Sequence, residues 1–103
     1  MYKPLPNGLT IKESKVQGLG LFATRDFDKE VVLGIVHIEN KNFPHGAIRT
    51  ALGAFYNHSD SPNCMNLKGF WHQLPVRYLC TIKKIKAGEE LTAKYTMYED
   101  FKE

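Results

Sequence analysis

Glycine and proline interrupt this chain so often that no segment has room for a long amphipathic helix. Eight glycines and five prolines are spread over 103 residues, and the apolar stretches between them are short. Short strands bounded by turn residues are the structure that such spacing favours. The sequence therefore predicts one mostly β domain over residues 1–103 with very little helix.

The predicted strands are rich in β-branched and aromatic residues, and turn residues flank them. They cover residues 10–13, 19–24, 31–38, 76–82 and 91–95. Gly34 inside the third strand predicts a bulge or a close approach of another part of the chain. In the fourth strand, alternation predicts one buried face, with Arg77 and Thr81 on the other face and Ile82 on the buried one.

Residues 47–55 are the only segment with helical character, and they allow barely two turns. The polar segment 40–46 before them contains Pro44, which predicts a loop. The histidines His37, His45 and His72 are scattered along the chain, and we expect their side chains to be solvated.

Composition argues against several classes of protein. The net charge is only +3, and the basic residues are scattered apart from Lys83, Lys84 and Lys86, so nucleic-acid binding is not indicated. No apolar run suits a membrane span or a signal peptide, so we expect no membrane association and an intracellular protein. Cys64 and Cys80 match no zinc spacing and are too few for a disulfide framework, which predicts free, half-buried thiols.

Three segments contain candidate functional residues. Gly18-Leu19-Gly20 needs only a tight turn before a strand, and no third glycine completes a dinucleotide motif. Residues 57–64 read NHSDSPNC, which fits Asx and Ser turns before a proline. His58 there fits a structural histidine or one metal ligand, although no second ligand has a suitable spacing. Residues 88–95 read GEELTAKY, a turn and a strand at whose end Tyr95 could simply pack.

The order of these segments is more specific than any one of them. GxG, then NHSxxPNC, then GEELTxxY resembles the pattern of SET domains, and the resemblance extends over residues 10–98. It implies a SET-domain β-clip of short strands with a C-terminal pseudoknot, in which the NHSxxPN segment passes beneath a loop of the C-terminal stretch. That topology would bring Asn57, His58 and Tyr95 together.

The resemblance also implies an activity, which is methyl transfer from S-adenosylmethionine to a lysine side chain of a protein or peptide. Tyr95 matches the catalytic tyrosine, whose hydroxyl would orient the lysine amine. Phe55, Tyr56 and Tyr98 are expected to line the lysine channel, and no metal is expected. The residues expected to bind the cofactor are Gln17, Gly18, Leu19, Gly20, Asn57, His58 and Tyr95.

The chain departs from the common SET pattern in several ways. The segment 39–54 is short, no cysteine-rich flanking segment is present, and Asn66 stands where many members carry a channel aromatic. A lid over the cofactor would have to come from Tyr98, Phe101 or a second subunit. Because these apolar residues would be exposed in a monomer, we expect a homodimer.

Two alternatives to an active enzyme stay open. One is a SET-like binding module without catalysis, and the other is a structural β-clip protein that retains the motif residues but has no ligand. The short virus-encoded SET proteins look similar, which suggests a bacterial cytoplasm or an infected host cell as the location.

Overall fold

The computed structural model describes residues 5–44 and 46–94. These residues form eight strands and one short helix, which confirms the mostly β prediction. The elements are β1 (Leu9–Glu13), β2 (Leu19–Ala23), β3 (Val32–Glu39), β4 (Ala47–Arg49), α1 (Ala51–Phe55), β5 (Asn57–His58), β6 (Cys64–Trp71), β7 (Leu74–Thr81) and β8 (Glu90–Ala93).

The strands follow the hydrogen-bonded order β1-β2-β8-β6-β7-β3-β4, and the short β5 pairs with β8. Strand β8 runs antiparallel to β2 and parallel to both β5 and β6. The last strand in the described sequence therefore lies next to one of the first two. This crossover places residues from the beginning, middle and end of the chain side by side.

The core is apolar and draws on most of the strands. Leu21, Val36, Leu79, Ile85 and Leu91 are fully buried. Burying an apolar side chain of this size stabilises a fold by about 1.5–3 kcal/mol. Because these residues are spread from β2 to β8, the core holds the two halves of the strand order together.

Strand β7 is buried on both faces, which the alternation of its sequence did not predict. Arg77 and Thr81 were expected to face solvent, yet both are buried, whereas Ile82 is 39% exposed. β7 is a central strand, paired with β6 along one edge and with β3 along the other, and side chains on both of its faces are buried. The Thr81 hydroxyl is satisfied there, because it donates to Asp28 O and accepts from Val31 N.

The segment 47–55, predicted as helix, divides into β4 and α1. Ile48 pairs with Ile38 on β3, as β-branched residues favour. Thr50 then caps the helix, because its Oγ1 accepts from Gly53 N at 3.2 Å and lies 2.6 Å from the carbonyl oxygen of Ile35. A Cβ at Gly53 would collide with the backbone of β3, so this glycine allows α1 to pack directly on the strand.

Two further features of the strands differ in how well the sequence indicated them. The predicted bulge at Gly34 is confirmed, because the register between β3 and β7 shifts there. Strand β6 was not predicted, although it pairs with β7 along its whole length.

Within residues 5–44 and 46–94, no helix has the length and apolar character needed to cross a membrane.

His37 is 3% exposed, so the expectation that it is solvated was wrong. It lies on β3 opposite Arg49 of β4 and Arg77 of β7, and Arg77 Nε is 3.9 Å from Glu39 Oε2. We call these four residues the His37 cluster. His72, in contrast, is exposed as expected, and His45 lies outside the described residues.

Candidate functional site

Asn57, the first residue of β5, is the centre of the candidate site. Its side-chain Nδ2 lies 2.7 Å from Glu90 Oε2 and 3.1 Å from Ser14 Oγ. The carbonyl oxygens of Gln17 and Leu19 are each 3.3 Å away. We call this group the amide cluster. It brings Asn57 together with Gln17 and Leu19, two other residues predicted to bind the cofactor, which lie 40 and 38 residues away in sequence.

Ser14 ties the loop between β1 and β2 to the cluster. Its hydroxyl oxygen is 2.8 Å from each carboxylate oxygen of Glu90 and also accepts from Val16 N. Its backbone N donates to Gly18 O at 2.7 Å, which closes the loop. The loop between β1 and β2, which contains Gln17, is therefore closed by the Ser14 backbone and attached to Glu90 through the Ser14 side chain.

The two glycines of the GxG segment have different roles. Gly18 has φ of +50°, a conformation that a turn requires and that residues with a Cβ rarely adopt. Gly20 is buried, and a Cβ there would overlap the Glu90 carboxylate. The absence of a side chain at Gly20, which was predicted to bind the cofactor, thus leaves the space that the Glu90 carboxylate occupies.

The segment 59–63 crosses β8. Ala93 pairs with both His58 and Cys64, and a strand residue has one partner on each edge, so the two ends of this segment lie on opposite edges of β8. Asn63 fastens the crossing, because its Nδ2 donates to Glu90 O and its Oδ1 accepts from Thr92 N. The loop that would complete a pseudoknot falls in residues 95–103, outside the described residues, so the pseudoknot stays a prediction.

His58 lies beside the cluster on the molecular surface. Its Nε2 is 3.2 Å from Asp60 Oδ1, and the two side chains are 39% and 89% exposed. Such an exposed pair contributes little to stability. In the part of the chain that the structure describes, no three His, Cys, Asp or Glu side chains gather into a metal site. The metal-ligand interpretation of His58 therefore has no support from this region.

Two of the three residues predicted to line a lysine channel, Phe55 and Tyr56, lie in the described part of the chain. Tyr56 is buried, and its hydroxyl oxygen lies 3.1 Å from Asn66 Nδ2, while Phe55 is half-buried. The Oδ1 atom of Asn66 is buried without a hydrogen-bond partner among the described residues. Asn66 thus contacts Tyr56, and its side-chain oxygen remains as a buried acceptor. Tyr95 and Tyr98 lie outside the described residues.

Neither cysteine suits a nucleophilic role. Cys64 and Cys80 are both buried and free, more deeply than the half-burial that the sequence suggested. Burial, followed by the neighbouring Cys80, raises the pKa of Cys64 to about 12. Burial likewise raises the pKa of Cys80. Both thiols are therefore protonated at neutral pH, and a thiol is a much weaker nucleophile than a thiolate.

A groove of about 540 Å³ opens beside Glu90. It is lined by Lys12, Glu13, Lys15, Phe22, Gly88 and Glu90. Lys12 Nζ lies 4.8 Å from the centre of the Phe22 ring. The groove shares the residue Glu90 with the amide cluster.

Comparison with known proteins identifies the family. The SET-domain profile matches residues 36–96, more than half of the chain, and this segment contains Asn57, His58 and Glu90. The chain belongs to the SET-domain family. A search among curated protein sequences found no match.

Solved structures of SET proteins share the fold. The crystal structure of a candidate histone methyltransferase from Plasmodium falciparum has a TM-score of 0.72 and 21% identity, covering 85% of this chain and 92% of that one. Polycomb Repressive Complex 2 from Chaetomium thermophilum, autoinhibited and bound to S-adenosylmethionine, has a TM-score of 0.71 and 20% identity. The match covers 88% of this SET protein but only 15% of the Polycomb chain.

Proposed function

We propose that this SET protein binds S-adenosylmethionine and transfers a methyl group to a lysine side chain of a protein substrate. The observation that carries the proposal is the amide cluster, in which Asn57 is held between the loop 14–19 and β8. Family membership and a related fold that binds this cofactor support it.

The donors and acceptors of the cluster fit the amino-acid end of such a cofactor. That end carries an ammonium and a carboxylate, which need acceptors and donors respectively. The Asn57 amide oxygen accepts from no described group, so it is available to an ammonium. Gln17 and Gly18 are exposed, and their backbone N–H groups are the donors that we assign to the carboxylate. When bound, the cofactor supplies an electrophilic methyl group on a sulfonium.

The substrate amine must be neutral to act as a nucleophile. A free lysine has a pKa of about 10.4, and an apolar channel lowers it by disfavouring the ammonium form. We assign this wall to Phe55 and Tyr56 on the sequence match, and the half-buried Phe55 and buried Tyr56 have the apolar surroundings that it needs. Alignment of the amine would then be the main task of the protein, and we assign it to Tyr95 on the sequence match.

The test is Tyr95→Phe assayed with a panel of lysine peptides by mass spectrometry, with calorimetry for the cofactor. We expect methyl transfer to fall at least about a hundredfold while cofactor affinity changes less than about fivefold. Unchanged turnover would remove Tyr95 from its role. Absence of transfer by the wild-type protein on every peptide, despite cofactor binding, would favour the alternative below.

The alternative function is a SET-like module that binds a partner without catalysis. It is favoured by the short segment between β3 and α1, whose described residues contain the three-residue strand β4 and no other strand. A wall this small leaves much of a peptide groove unsupported. Turnover by the isolated protein on any lysine peptide would exclude this alternative.

A homodimer and an intracellular location remain proposals. Tyr98 and Phe101, on which the expectation of a dimer rests, lie outside the described residues. Within the described part, Phe70 is 73% exposed and Trp71 is 45% exposed, which leaves apolar surface available to a partner. Sedimentation that shows only monomer at high concentration would contradict the dimer.

A further inference from the structure

Ser14 and Glu90 contact Asn57 but were not among the residues predicted to bind the cofactor. We infer that they are positioning residues, which hold the Asn57 side chain in the orientation that cofactor binding requires. This inference rests on the proposed function for its consequence, but its structural part concerns the protein alone.

The chemistry of the neighbours fixes which end of the Asn57 amide faces them. A carboxylate and two backbone carbonyls can only accept hydrogen bonds, and all three surround the same atom. That atom must be the nitrogen, because an amide oxygen there would face three acceptors. The amide oxygen is therefore turned away from Glu90, Gln17 and Leu19.

Glu90 itself is held at both ends. Its backbone oxygen accepts from Asn63 Nδ2 at 2.8 Å, and its side chain is bound by Ser14. Glu90 also pairs with Phe22 of β2, and this pairing fixes the position of Glu90 along β2. The absence of a side chain at Gly20 leaves the space that the carboxylate occupies. A group fixed in this way can orient its neighbour without rearrangement when a ligand arrives.

Two physical effects follow for a ligand with a positive charge. Asn57 loses little side-chain freedom on binding, because its rotamer is already set. The carboxylate also adds an attraction for a cation, which a neutral amide at the same place would lack. Fixing the Asn57 rotamer needs only a hydrogen-bond acceptor at residue 90, whereas attraction of a cation needs the negative charge of the Glu90 carboxylate.

The variants Ser14→Ala, Glu90→Ala and Glu90→Gln separate these effects. Glu89→Gln is the matched control, because Glu89 is adjacent but its Oε1 accepts from Lys86 N in the turn, away from Asn57. The first readout is the side-chain amide resonance of Asn57 in the protein without cofactor, measured by ¹⁵N–¹H NMR. The second is the Kd for S-adenosylmethionine by calorimetry, and the third is the Tm.

We expect Ser14→Ala and Glu90→Ala to shift the Asn57 amide resonance and to weaken cofactor binding about tenfold, the size of one lost hydrogen bond to a charged group. Glu90→Gln should keep part of the cofactor affinity. Glu89→Gln should change neither the Asn57 resonance nor the cofactor affinity. Because Ser14 begins an exposed loop, we expect Ser14→Ala to fold. It therefore keeps the test decisive if Glu90→Ala does not fold.

An Asn57 resonance that stays in place in both Ser14→Ala and Glu90→Ala would overturn the positioning role. Equal loss of affinity in Glu90→Ala and Glu89→Gln would also overturn it, since the effect would then be general. A wild-type protein that binds no cofactor would instead refute the proposed function, while the NMR readout would still decide whether Ser14 and Glu90 orient Asn57.

Discussion

The amide cluster and the His37 cluster lie toward opposite ends of the strand order and treat polar side chains in contrasting ways. In the amide cluster, one side-chain nitrogen faces four acceptors. In the His37 cluster, neither ring nitrogen of His37 has a hydrogen-bond partner among the described residues. A satisfied, half-buried polar group can orient a ligand, whereas an unsatisfied buried one mainly costs stability.

The electrostatics of His37 follow from its surroundings. Burial, together with the positive charges of Arg49 and Arg77, lowers its pKa from 6.5 to about 4. The neutral ring is therefore the form that the fold accepts. Glu39 lies near Arg77 on the same side and does not reverse this shift.

The largest expected effect is a loss of stability in mild acid. The folded pKa lies below the unfolded one, so the unfolded chain binds the proton first as the pH falls. Titration of His37 leaves the free energy of unfolding unchanged well above pH 6.5 and lowers it progressively as the pH falls toward about 4. At about 1.36 kcal/mol per pH unit, the difference of about 2.5 between the two pKa values corresponds to a total loss of at most about 3.4 kcal/mol. Urea unfolding at a series of pH values measures it.

The variant His37→Leu isolates this effect from the titration of carboxyl groups. The slope of unfolding free energy against pH should become clearly shallower between the ordinary histidine pKa of 6.5 and the folded value of about 4. At neutral pH the variant should be within about 1 kcal/mol of wild type, because it removes an unsatisfied polar group. A slope equal to that of wild type would contradict the account of His37.

The next effect is expected from Asn57→Asp in the amide cluster. The substitution places a second carboxylate against Glu90 and removes the donor at 2.7 Å. We expect the unfolding free energy to fall by about 2 kcal/mol at about pH 8 and to recover partly near about pH 5, where one of the two carboxyls can bind a proton. Asn57→Ala, which adds no charge, is the control. Equal loss in both variants in mild alkali would show that repulsion is not the cause.

A smaller effect is expected from Ser14→Ala. Glu90 loses one donor but stays partly accessible to water, so the loss should be about 1 kcal/mol or less. Thermal unfolding at neutral pH measures it. Ser14 has hydrogen-bond partners, whereas the His37 ring has none among the described residues. We therefore expect Ser14→Ala to lower the free energy of unfolding at neutral pH by at least as much as His37→Leu does. The reverse order would remove the contrast between the two clusters.

Most of the strands could be predicted because their sequences carry a local signal. Strand β6 could not, because Asn66, Lys68 and Gly69 interrupt any alternation, and the strand exists through its pairing with β7. The turn between them is formed by His72 and Gln73, both with positive φ, where glycine or asparagine would be the usual signal. Tertiary pairing thus determined this hairpin.

The same limit applies to the site. The order of the motifs was enough to predict that Asn57 and residues 17–20 belong to one site, because the whole pattern is characteristic of one family, and the structure brings Asn57 against Gln17 and Leu19. Ser14 carried no such signal, since it meets Glu90 only across 76 residues of sequence. Glu90 stood in the motif, but nothing in the sequence indicated that Gly20 leaves space for its carboxylate. Contacts between residues so distant in sequence depend on the order of the strands in the sheet, which no local sequence pattern indicates.

The most direct test of the central claim is calorimetric titration of the wild-type protein and of Asn57→Ala with S-adenosylmethionine. The account predicts micromolar binding to the wild type and affinity at least about tenfold weaker in the variant, with both proteins folded by circular dichroism. No binding to the wild type at millimolar cofactor, or equal binding to both proteins, would contradict the claim that the amide cluster forms the cofactor site.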